Sequence, residues 1–84
     1  MEDPTLREIV RACLEDERLL EIVRDVCSMD GQRREEFRMK VVSYFMDKTS
    51  EQDVQAYRFF KTILQGNNAE VILREVRRLG SGQG

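Results

Sequence analysis

The apolar residues of this chain recur three and four positions apart almost from end to end, and the strong helix breakers, Pro4 and five glycines, lie at the margins of those runs. Spacings of three and four put side chains on one face of a helix, whereas a strand needs alternation. An all-α chain is therefore expected. Thr5-Leu6-Arg7-Glu8 reads as a capping box behind Pro4, and opens a helix with the stripe Leu6, Ile9, Val10, Cys13 and Leu14. A second stripe, Leu19, Ile22, Val23, Val26 and Cys27, starts thirteen residues later. At ~100° per residue it lies about 140° around from the first, so one straight helix cannot bury both against one neighbour. A break near Glu15-Asp16-Glu17 follows, with Asp16 as the N-cap of the second helix.

Met29-Asp30-Gly31 marks the next turn. The third helix carries Phe37, Met39, Val41, Val42, Tyr44, Phe45 and Met46 and leaves only a narrow polar arc, the pattern of a helix central to its bundle. Thr49-Ser50-Glu51-Gln52-Asp53 holds two overlapping capping boxes, Thr49 with Gln52 and Ser50 with Asp53. The fourth helix behind them bears Ala56, Tyr57, Phe59, Phe60, Ile63 and Leu64, and Gly66 stops it as a left-handed cap. Asn67 with Glu70 caps a fifth helix whose stripe is Ala69, Ile72, Leu73, Val76 and Leu79, and Gly80 ends it. The expected fold is a compact single-domain bundle of five short helices, at about residues 5–14, 17–28, 32–47, 51–65 and 69–79. A bundle domain over residues 1–79 would precede a disordered Gly/Ser tail, residues 80–84. All six aromatics lie between Phe37 and Phe60, so the third helix against the fourth is the expected centre of packing.

Eighty-four residues allow one core. A core this small buries only roughly 60 to 65% of the unfolded surface, which makes self-association an expectation from the outset. The chain has no histidine, so it has neither a Ser-His-Asp or Cys-His nucleophile nor an imidazole metal ligand. Cys13 and Cys27 are too few for a four-ligand zinc site, and each sits on an apolar stripe, where a reduced thiol is expected; a disulfide between the first two helices stays open. Acidic runs such as Glu15-Asp16-Glu17 and Glu35-Glu36 lie at helix ends and on polar faces with no second catalytic group placed by a motif, and no glycine-rich loop cradles phosphate. These patterns point to a protein without enzyme activity, cofactor, metal or small-molecule substrate. Charges through the first twenty residues leave no apolar leader or membrane span, and the expected location is the cytoplasm.

The net charge of -2 is a cancellation. Residues 1–30 carry nine acidic and four basic side chains, and residues 58–84 carry five basic and two acidic. Solvated helix faces with local pairs, such as Glu70 with Arg74, account for this at little energy. Complementary surfaces for self-assembly or a charged partner account for it equally. Tyr57-Arg58-Phe59-Phe60-Lys61 places three aromatics on different sides of one helix, so that Tyr57 or Phe59, rimmed by Arg58 and Lys61, is a candidate interface anchor. Met39 and Met46 share a side of the third helix and are candidates for the same surface. The expected role is a small protein-protein interaction module or regulatory subunit, self-associating through helix faces as a homodimer or higher homo-oligomer. The alternative is a helix-turn-helix-like DNA-binding protein, in which Asn67, Asn68 and Arg74 of the fifth helix face base edges while Arg77 and Arg78 neutralise phosphates. Net acidity opposes that alternative, and no motif singles out a family.

Overall fold

Three aspartates and a serine decide where the first four helices begin. The computed structural model describes residues 3–81, and among them five helices and no strand. Asp3 is the N-cap of α1 (Pro4–Glu15), accepting from the Thr5 N–H at 2.9 Å, with Pro4 in the first turn where its missing N–H costs nothing. Thr5 is thus inside the helix, and the expected Thr5–Glu8 box is not the start. Asp16 ends α1 and caps α2 (Glu17–Ser28) through the Arg18 N–H, so the expected break lies at the expected residue. Asp30 caps α3 (Gly31–Phe45) through the Arg33 N–H at 2.8 Å, and Ser50 caps α4 (Glu51–Ile63). Of the two overlapping boxes the chain uses Ser50 with Asp53: the Ser50 Oγ accepts from the Asp53 N–H at 3.1 Å and donates to its carboxylate at 2.6 Å.

Gly66, at φ +50°, makes the left-handed turn after α4, which a side chain with a Cβ adopts only at a cost. The Asn68 side-chain amide donates to the Thr62 carbonyl at 2.9 Å and ties that turn to α5 (Asn68–Ser81). Gly80 does not end α5; the helix runs through it to Ser81. A C-terminal glycine stops a helix when the following residue folds back onto an apolar contact, and Ser81-Gly82 offers none. Two residues assigned to a disordered tail are therefore helical, and residues 82–84 of that tail lie outside the described residues.

The core is aliphatic and lies among α1, α2 and α5. Leu6, Ile9, Val10 and Cys13 of α1, Val23 and Val26 of α2, and Ala69, Ile72 and Val76 of α5 form one buried cluster, to which α4 adds only Ile63. The third helix against the fourth is thus not the centre of packing. Three helices with clean one-sided stripes bury the middle of each stripe against one another, with Leu14 and Leu79 left exposed at helix ends, whereas α3, apolar around most of its girth, buries only the strip that meets α4 and leaves the rest in water. The aromatics do gather between α3 and α4: Phe60 meets Phe37 at 5.9 Å and Phe45 at 6.1 Å between ring centroids, and Phe45 meets Tyr57 at 5.8 Å. They form a half-buried layer above the aliphatic cluster, with Phe37, Phe59 and Phe60 packed against it. Arg34 fastens the start of α3 to both neighbours. Its Nε donates to the Val26 carbonyl of α2 at 3.0 Å, and its guanidinium pairs with Glu70 of α5.

Candidate protein-docking surface

Met39, Val42 and Met46 follow one another at three and four residues along α3, and their exposures are 66%, 41% and 77%. Val54 of α4, 42% exposed, and the half-buried Tyr57 continue the same apolar face across the helix pair. Between them Val42, Phe45, Met46, Val54 and Tyr57, with Lys48 and Asp53, line a shallow hollow of about 270 Å³. Lys61 lies one turn beyond Tyr57 on the same row of α4, exposed and without an ion-pair partner among the described residues. Tyr44 is exposed on the opposite flank of α3, its ring under the Lys48 ammonium at 4.4 Å.

The six candidate residues therefore divide. Met39, Met46, Tyr57 and Lys61 share the α3–α4 ridge, while Phe59 and Arg58 lie on the far side of α4. There they line a groove of about 890 Å³ with Ile9 and Ala12 of α1 and Leu19 and Ile22 of α2. Two positions separate Tyr57 from Phe59, about 200° around a helix, so no single partner face meets both. The helical spacing of Met39, Val42 and Met46 signals the ridge in the sequence, but burial alone distinguishes it from a core stripe. The groove has no sequence signal, because its walls come from three separate helices.

The charges also rearrange. α5 packs against α1 and α2, so the acidic first thirty residues and the basic last helix lie side by side and do not form opposite poles. Among the described residues the ion pairs include Asp16–Arg18, Glu35–Arg38, Glu75–Arg78 and Arg34–Glu70. Glu70 is thus taken by Arg34 of α3, and neither pairs with Arg74 nor caps back onto Asn67 as expected. The arginines hold the carboxyls of Asp16, Glu70 and Glu75 below their ordinary range, each chiefly through its side-chain hydrogen bond. Burial pushes the Cys13 thiol up to about 11, with Asp16 adding to the shift, and burial also raises Cys27; both cysteines are free.

Of the nucleic-acid candidates, Asn68 spends its amide on the Thr62 carbonyl and Arg78 pairs with Glu75. Asn67, Arg74 and Arg77 are exposed. No group of three or more metal-ligating side chains stands close enough to hold an ion among the described residues, and no described helix is long and apolar enough to cross a membrane. Comparison with protein-family models, with curated proteins and with solved structures finds no match.

Proposed function

We propose that this chain is a non-enzymatic helical interaction module that associates with copies of itself through the α3–α4 ridge. One observation carries the reading: α1, α2 and α5 bury the middle of their stripes and expose only Leu14 and Leu79 at helix ends, yet α3 leaves Met39, Val42 and Met46 in water on one continuous row. Scattered exposed apolar residues need no explanation, but a contiguous row flanked by a tyrosine marks a surface that is covered in use. Methionines suit such a surface because unbranched thioethers repack against an irregular partner. The reading calls for no cofactor and no small-molecule substrate. It sets the protein in the cytoplasm, where Cys13 and Cys27 stay reduced.

Sedimentation velocity from low to high micromolar concentration tests it. The parent chain should exceed its 9.9 kDa monomer mass as concentration rises. Val42→Glu/Met46→Glu should stay monomeric and keep its helical circular dichroism, because neither side chain belongs to the buried cluster. A parent chain that remains at 9.9 kDa throughout, or a folded ridge variant that associates as the parent does, overturns the reading.

A further inference from the structure

We infer that the α3–α4 ridge meets the same ridge of a second copy across a two-fold axis that crosses the helix pair at Val42 and Tyr57, so that α3 lies antiparallel on α3 and α4 on α4. The inference rests on the ridge reading above and adds the partner surface and its register. Ring contacts of Phe37 with Phe60 and of Phe45 with Tyr57 show that α3 and α4 run antiparallel within one copy. Met46 therefore lies at the Asp53 end of the ridge, where both line the hollow, and Met39 lies at the Lys61 end. Val42 stands midway between the two methionines and Tyr57 midway between Asp53 and Lys61, and these central residues line the same hollow. Along the helix axes the outer residues of each row are about 10 to 12 Å apart. The two rows thus match in length and share a centre.

Charge sets the direction. Asp53 is half-buried at the hollow and Lys61 is exposed, and neither has an ion-pair partner among the described residues. The charges beside them are taken within one copy: Glu35 pairs with Arg38, and the Lys48 ammonium stands over the Tyr44 ring on the opposite flank. The ridge is left with an unpaired acid at one end and an unpaired base at the other. Such a face is complementary to itself when a copy is turned end for end, because Asp53 of each copy then meets Lys61 of the other and Met39 meets Met46. An axis running along the helices would instead set Asp53 on Met46 and Lys61 on Met39 of the other copy, taking both charges out of water without a partner. A two-fold contact uses one surface twice and closes at two copies.

Charge reversal in the whole chain tests the register by sedimentation at about 0.05 M salt, where screening is weak. Asp53→Lys alone and Lys61→Glu alone each turn both cross-copy pairs into like-charge contacts, and each should weaken self-association roughly tenfold. An equimolar mixture of the two single variants should dimerise as the parent does, because both ends then face opposite signs again, and the double variant Asp53→Lys/Lys61→Glu should recover in the same way. Asp53 also closes the Ser50 cap, so a cysteine pair gives a second measurement should Asp53→Lys fail to fold. Under mild oxidation Met39→Cys chains should cross-link to Met46→Cys chains and not to one another, as mapped by peptide mass spectrometry. Single reversals that associate as the parent does, a mixture that gains nothing over its components, Met39→Cys chains that cross-link to one another as readily, or a parent that grows past two copies would each overturn the two-fold register. If Val42→Glu/Met46→Glu still abolishes association in any of those cases, the ridge reading stands. A parent that never associates removes both.

Discussion

Ile63 is the fully buried side chain that α4 gives to the aliphatic core, with Phe59, Phe60 and Leu64 packed beside it, and its truncation tests the architecture most sharply. It is 0% exposed, in the cluster that includes Val23, Val26 and Ile72. Ile63→Ala removes three carbon groups, worth roughly 2.4 kcal/mol at ~0.8 kcal/mol per buried group. A residual cavity of ~50 Å³ adds about 1.2 kcal/mol at ~24 cal/mol per Å³. The expected loss is about 3.6 kcal/mol, against a total stability of roughly 4 to 13 kcal/mol for a domain of this length. Thermal unfolding followed by far-ultraviolet circular dichroism at one low protein concentration should show Tm falling by roughly 15 to 30 °C, at about 4 to 8 °C per kcal/mol. Ile63→Val, which removes one group, should cost about 1 kcal/mol. Val54→Ala, on the exposed side of the same helix, should stay within about 0.5 kcal/mol of the parent. An Ile63→Ala chain within about 1 kcal/mol of the parent would refute the placement of α4 over the α1–α2–α5 core.

Three further outcomes follow from the same geometry. Arg34→Ala should destabilise by about 1 to 2 kcal/mol in urea unfolding: it removes the bond to the Val26 carbonyl as well as the Glu70 pair, and the exposed half of that pair is discounted for solvent screening. Glu70 has a folded carboxyl pKa below its unfolded value, chiefly through the Arg34 hydrogen bond, so its contribution is complete above the unfolded value and is lost as pH falls through the lower folded one. Arg34→Ala should therefore lose less stability than the parent between pH 5 and 2, and equal losses would contradict the clamp. Gly66→Ala should cost about 1 kcal/mol at φ +50°, and a neutral or stabilising result would argue against the left-handed turn. Iodoacetamide at pH 8 should alkylate the half-buried Cys27 well before the buried Cys13, whose thiol stays protonated to about 11; mass mapping that finds Cys13 modified first would contradict its burial.

Local chemistry made most of the helix boundaries readable. Asp16 breaks and caps because a carboxylate before an apolar stripe can take the first free N–H groups, and Gly66 turns because only glycine enters that conformation without penalty. The start of α1 is ambiguous in sequence because Asp3 and Thr5 are both good caps, and only the hydrogen bond from the Thr5 N–H to the Asp3 carboxylate decides between them. The position of the core was not readable in the same way. An apolar ring around α3 is what a central helix shows, and also what a helix with one buried and one docking side shows. The two differ only in how many neighbours the chain can place around it. Phe59 and Tyr57 are two residues apart in sequence, yet they serve different surfaces, because tertiary packing sets α1 and α2 against one side of α4 and α3 against the other.

The claim that the α3–α4 ridge is the docking surface is tested most directly at Met39 and Met46 themselves. Dilute peroxide oxidises exposed thioethers, and peptide mass spectrometry reads each methionine separately. In the parent chain, sulfoxide formation at Met39 and Met46 should slow as protein concentration rises and the ridge is covered, while the half-buried Met29, away from the ridge, keeps a constant rate. Rates at Met39 and Met46 that stay constant across concentrations at which the sedimenting mass increases would place the association on another surface and contradict the account.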